Sequence, residues 1–228
     1  RGWSMTRQTL FWKATRPDGT DFYTGAVDYA GALESGEPLP ELAGGAFPGA
    51  GWYHAGVHPT SCAGMQWPCR LFIVEPVGEV MWDGVPRVKV GARSLRVVEE
   101  RPAHEALGPQ GERIAALIGR AGRLTMDEAR RLAAAWDAAG YAAGYAAWAA
   151  ARDAAWAAAW DAAGYAAWDA AWAAARDAAG DAAGYAAWAS AWALVVRDLI
   201  DPAHYAVLTM PWASVIGPVH PDDPEVTA

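Results

Sequence analysis

From Trp136 to Trp192 the apolar and polar positions keep a count of four. Every fourth residue is Trp, Gly or Arg, the next is Asp, Tyr or Ala, and the two after that are Ala throughout except for Ser190. A longer period lies over it: Trp136, Gly140, Trp148 and Arg152 recur as Trp160, Gly164, Trp172 and Arg176, a shift of 24. Four residues of α-helix turn about 400°, so each tetrad advances about 40° round the axis. One straight helix over 136–192 would scatter its tryptophans to every side and reach about 85 Å, against a radius of gyration near 17 Å for a compact chain of this length. Gly140, Gly144, Gly164, Gly180 and Gly184 each cost about 1 kcal/mol relative to Ala inside a helix. Some of them are therefore expected to end helices, and others to let neighbouring backbones approach. The expected result is an antiparallel bundle of two to four Ala-rich helices. A long bent helix paired with a second chain is the alternative.

Ahead of the repeat the pattern belongs to strands. Leu10-Phe11-Trp12, a turn at Arg16-Pro17-Asp18-Gly19 and Asp21-Phe22-Tyr23-Thr24 read as a hairpin. Residues 31–51, rich in Gly, Pro and Glu, read as a long surface loop or short helical turn. Leu71–Val74, Gly78–Trp82, Arg87–Val90 and Leu95–Val98 read as a meander, with Asp83-Gly84 as one of its turns. The predicted fold class is α+β: a small, mostly antiparallel β domain over 5–100 followed by the Ala-rich antiparallel helical bundle. Residues 101–124 read as a linker with a short helix, 125–212 as the tetrad-repeat helical domain and 213–228 as a tail, disordered from His220. Met5 reads as a natural start with four residues added before it. Thr125-Met126-Asp127-Glu128 is a capping box that starts a helix at 126. Asp201-Pro202 starts another, expected to run through Leu208 and stop at Pro211.

Composition narrows the classes. No run of 18 apolar residues lacks a charge or glycine, so no membrane-spanning helix is indicated, and no secretory signal stands at the N-terminus. Two cysteines cannot staple a secreted scaffold, which makes a reducing cytoplasm the expected location. The formal charge of −8 argues against direct nucleic-acid binding through phosphate neutralisation. Lys13 and Lys89 are the only lysines, arginine supplying the other sixteen positive charges. With the abundance of Ala and Gly, that points to a high-GC genome such as an actinobacterium or its phage.

Two sets of residues could carry function. His54, His58, Cys62 and Cys69 are all possible zinc ligands, spaced His-x3-His-x3-Cys-x6-Cys without a tight Cys-x2-Cys pair. In the alternative, His58 caps a turn, the cysteines are small buried residues, and the chain needs no cofactor. In the repeat, tryptophans at helical spacing usually fill a core, but Trp148, Trp156 and Trp172 could also form a partner surface. Arg152 lies one turn from Trp148 and Trp156, and Arg176 one turn from Trp172, where guanidinium can stack on indole. Tyr53 and His58 are the binding candidates of the β domain.

Gly56-Val57-His58-Pro59, followed by Arg70–Glu75 and Gly78-Glu79-Val80, resembles an uncharacterised domain of phage and bacterial proteins, over about 60 residues. More distantly it is similar to the ADP-ribosyltransferase fold, though the chain lacks that family's His-Gly-Thr and Ser-Thr-Thr signatures. No catalytic residue carries over. Residues 130–223, ending in Val195–Ile200, His204-Tyr205 and Pro211-Trp212, resemble Ala/Trp/Asp/Arg-repeat helical proteins of actinobacteria, which implies no assigned activity. The expectation is a non-enzymatic binding protein, with the repeat as scaffold or as surface for a protein partner or self-association. One alternative is an enzyme or nucleotide-binding module, ADP-ribosyltransferase-like, on the β domain. The other is an acidic nucleic-acid mimic in phage counter-defence.

Overall fold

The computed structural model describes residues 10–83, 87–139, 141–158, 161–179 and 181–224. The fold is α+β and divides into two compact units, 1–103 and 104–228. The division falls inside the stretch expected to be a linker, and Met5 lies outside the described residues.

The first unit is a closed barrel of four strands, β1 (Phe11–Thr15), β2 (Tyr53–Gly56), β3 (Arg70–Asp83) and β4 (Lys89–Arg101), joined in the order β1-β2-β4-β3. All four pairings are antiparallel, from Trp12 opposite Gly56 to Lys13 opposite Phe72. Closure removes the exposed edges that so small a sheet would otherwise leave. Apolar residues alternate inward, and Phe11, Phe72, Val74, Val90, Ala92, Leu95 and Val97 form the core with Tyr29 and Tyr53.

Two expectations are corrected here. Leu71–Val74 and Gly78–Trp82 are not separate strands, because β3 runs through both. The ladder slips between Val77 and Val80, and Gly78 has φ 90°, a conformation that costs glycine nothing. The four-strand meander is therefore one long hairpin. Asp21–Thr24 is likewise not a strand. The Asp21 carboxylate accepts from the backbone N–H groups of Tyr23, Thr24, Ala26 and Val27 and from the Thr24 hydroxyl, at 2.7–3.1 Å. These bonds curl the segment into a turn that leads to α1 (Tyr29–Ser35), capped by Asp28. The following loop is fastened along β4, with Leu39 N–H donating to the Leu95 carbonyl and Leu42 N–H to that of Arg93, each at 2.8 Å.

The second unit holds α2 (Gly111–Ala121), α3 (Met126–Ala139), α4 (Tyr141–Ala157), α5 (Asp161–Ala179), α6 (Asp181–Val195) and α7 (Pro202–Ala213). The short helix expected within 101–124 is α2, which buries Ile114, Leu117, Ile118 and Ala121 and packs on α5 and α6. The capping box at Thr125 and Glu128 forms as the sequence predicts, at 2.9 and 3.3 Å.

Inside the repeat the buried stripe is alanine. Ala147, Ala151 and Ala155 of α4, Ala163, Ala167, Ala171 and Ala175 of α5, and Ala183, Ala187 and Ala191 of α6 are all buried. Each stands directly before a Trp, Gly or Arg position. At about 40° of drift per tetrad, three or four tetrads sweep about 80–120°, the width of one apolar face. Within each of α4, α5 and α6 the stripe therefore stays on one side, and Gly144, Gly164 and Gly184 lie within helices.

Pairing of α5 with α6 explains two of those internal glycines. A Cβ on Gly164 would stand 2.9 Å from the Trp192 ring, and one on Gly184 2.6 Å from that of Trp172. Trp168 and Trp188 meet between them, ring centroids 5.9 Å apart. Read along one helix the stripe is Gly164-Trp168-Trp172, and along the other Trp192-Trp188-Gly184. The two helices are thus antiparallel, with each indole laid over the other's glycine.

The chain's end differs from its expected course. Helix α7 continues past Leu208 and includes Pro211; in its last turn a proline forfeits one backbone bond, and Trp212 beside it is buried. His220–Asp223 is not a loose tail. Asp223 accepts from the Tyr205 hydroxyl and the His220 N–H, each at 2.9 Å.

Candidate functional site

A cavity of about 630 Å³ opens in the barrel unit, within the range that holds small molecules and cofactors. Its aromatic lining comes from Trp12, Tyr23, Tyr29, Trp52 and Tyr53, and its charged lining from Lys13, Lys89 and Asp21. Both lysines of the chain therefore stand at one cavity. They arrive from β1 and β4, which the sequence separates by more than seventy residues but which both border β2.

Lys13 sits on the same side of β1 as the buried Phe11 and Thr15, so strand alternation turns its stem inward. Its Nζ donates to the His54 carbonyl at 3.3 Å and lies over the Tyr29 ring, 5.2 Å from the centroid. Among the described residues neither lysine has a carboxylate within ion-pair distance. Burial holds the Lys13 amine below the usual lysine value and Lys89 adds to this, while Cys62 and Asp21 oppose. Among the described residues Asp21 is the one carboxylate of the lining, and its oxygens are committed to the turn. Burial works against its ionisation, yet the donors from Thr24 and Val27, with help from Lys13, bring its pKa to about 2.

The sequence-derived candidates divide on this geometry. Tyr53 lines the cavity and donates its hydroxyl to the Pro40 carbonyl at 2.9 Å. His54 also lines it, with Nε2 3.2 Å from the Gly49 carbonyl, which can only accept, so that nitrogen carries the proton. Burial and then Lys89 lower the His54 pKa. His58 is elsewhere, starting a 3-10 turn in which its backbone N–H donates to the Ser61 hydroxyl at 3.0 Å. Cys62 and Cys69 are buried free thiols, pushed up by burial to about 11 and about 12. His54, His58, Cys62 and Cys69 do not come together as a metal-binding group. Among the described residues no three His, Cys, Asp or Glu side chains do.

In the helical unit Arg152 lies over Trp148 at 5.1 Å and Arg176 over Trp172 at 4.5 Å, the stacking that the spacing anticipated. Arg152 and Trp156 share a shallow groove of about 520 Å³ with Asp153 and Tyr165, and Trp156 is 72% exposed. Trp148 belongs instead to an aromatic cluster centred on Trp188, whose ring meets those of Trp136, Trp148, Trp168 and Tyr185. Trp192 is buried at 1% exposure. The indole N–H groups of Trp148, Trp188 and Trp192 are buried without a hydrogen-bond partner among the described residues.

Lys13, Lys89, Asp21, Trp12 and Trp52 are absent from the sequence-derived candidates. The lysines left one signal, since they are the only two in a chain that otherwise uses arginine. The fold defines an α+β protein with a ligand-sized cavity in a closed barrel. No family model, curated protein or solved structure matches this chain. Among the described residues no helix is long and apolar enough to cross a membrane.

Proposed function

We propose that the barrel unit binds a small, flat, aromatic molecule bearing an anionic group, its ring against the aromatic walls and its charge on Lys13 and Lys89. The observation that carries this is the convergence of the only two lysines on a cavity whose one carboxylate is already engaged. A buried ammonium with a second lysine at the same cavity is costly, and an anion offsets that cost. Aromatic side chains supply the apolar contact area for a ring. The charge distribution also allows it: the barrel unit has eleven acidic and ten basic residues, whereas the helical unit has fifteen and eight.

Calorimetric titration with pyridoxine 5′-phosphate, an aromatic anion of suitable size, tests the proposal. One saturable site per chain is expected, weakened by salt and weakened about tenfold or more by Lys89→Gln or Lys13→Met, as the loss of a charged hydrogen bond implies. No saturable binding, or binding indifferent to both substitutions, overturns it.

A second reading rests on a separate observation, the exposed Trp156 beside Arg152, Asp153 and Tyr165. Such a groove, on a unit with excess acid, suits a basic segment of a protein partner. Sedimentation with a polyarginine peptide tests it. A shift that needs Trp156 and fades with salt supports docking there, and no shift removes it.

A further inference from the structure

The two lysines of the cavity are held differently. Lys13 lies in the middle of a five-residue strand, opposite Phe72 on β3 and next to Trp12, which pairs with Gly56 on β2. Strands on both sides fix its backbone, so the stem cannot swing its amine away to solvent. The partners of that amine are a carbonyl oxygen and a ring face, and neither neutralises it. A lysine in such surroundings is driven towards the uncharged amine, whose lone pair is the nucleophile.

We propose that Lys13 forms a reversible imine with an aldehyde or ketone carried by the aromatic anion that the cavity accepts. This rests on the binding reading above and adds a covalent step to it. The Lys13 nitrogen attacks the carbonyl carbon, forming a C–N bond while the carbonyl π pair moves to oxygen, which takes a proton. The nitrogen gives up one proton, the carbinolamine takes up another on its hydroxyl, and that group departs as water to leave C=N. The second N–H proton is released if the imine is neutral. One amine and one carbonyl give one imine and one water, with no oxidant or reductant required. Solvent takes up and returns these protons, and burial, which favours the neutral amine, supports the step. Lys89 remains to hold the anionic group of the ligand.

Reductive trapping on the full chain tests this cleanly, because only two lysines and the terminal amine compete. The protein is incubated with pyridoxal 5′-phosphate and cyanoborohydride, and the secondary amine is located by peptide mass spectrometry. Adduct on Lys13 is expected at about ten times its level on Lys89 or the terminal amine, as differential burial of one amine implies. Excess pyridoxine 5′-phosphate, which lacks the aldehyde, should suppress it. Lys13→Arg should remove the adduct, and Lys89→Arg should leave Lys13 as the preferred position. Absence of an adduct, or equal labelling of the three amines, overturns the inference. If pyridoxine 5′-phosphate still binds in that case, the covalent step alone fails. If it does not bind, the cavity reading fails with it.

Discussion

The barrel unit and the helical unit reach compactness by opposite means. In the barrel, large unlike side chains such as Phe11, Phe72, Tyr29 and Leu95 fill the interior once each, and no position repeats another. In the helical unit, alanines recur at every fourth place, and the volume is made up by indoles laid over glycines. A repeating sequence can specify a repeating surface, but chemistry needs unlike groups at one point. The irregular unit is where a lysine amine, an imidazole and an engaged carboxylate stand round one cavity, whereas the regular unit offers stacking and shape.

This contrast can be broken most forcefully at the indole-over-glycine lock. Trp192→Ala removes a fully buried indole from α6 and should cost about 3–5 kcal/mol, read as a fall in the unfolding midpoint in urea. Gly164→Ala places a methyl against that same ring and should cost about 1–3 kcal/mol. At Gly144, where a Cβ meets nothing within 4 Å, Ala should instead stabilise by about 1 kcal/mol. The opposite signs at two glycines of one repeat would separate packing from propensity.

In the barrel the next effect is electrostatic. The folded Asp21 pKa of about 2 lies below the unfolded value of 3.8. Its contribution is complete above about pH 4 and is lost as pH falls through about 2. Allowing for solvent screening it amounts to roughly 1–2 kcal/mol. The stability gap between wild type and Asp21→Asn, measured by denaturant titration, should therefore narrow between pH 4 and pH 2.

Lys13→Met then separates function from stability. Replacing a buried, unneutralised amine by an apolar side chain should leave the unfolding midpoint unchanged or raised by about 1 kcal/mol. Ligand binding should fall about tenfold or more. A clear loss of stability would make Lys13 structural. The smallest effect belongs to the surface stacks, where Arg176→Ala should change stability by less than about 1 kcal/mol.

How much of this was legible beforehand depends on the kind of order involved. Helix drift and glycine cost anticipated a segmented helical bundle, and the spacing of Arg152 and Arg176 from Trp148 and Trp172 anticipated their stacking. The same local cues misled at 75–77, where Leu71–Val74 and Gly78–Trp82 run on as one strand past a bulge, and at Asp21, where five donors to one carboxylate outweigh strand-like neighbours. Pro211 lies inside α7 at the cost of one backbone donor, which the local sequence did not signal. The cavity was least legible, since Lys13 and Lys89 meet only through barrel closure, a long-range pairing that no window of sequence contains. The rarity of lysine was the trace it left.

The division of roles between the two units is tested most directly by following backbone amide resonances of the full chain during titration with pyridoxine 5′-phosphate. Saturable shifts are predicted to concentrate at residues 12–14, 21–29, 48–56, 62–63 and 89, around the cavity. Shifts concentrated in residues 141–195, or none at any ligand concentration, would contradict the account.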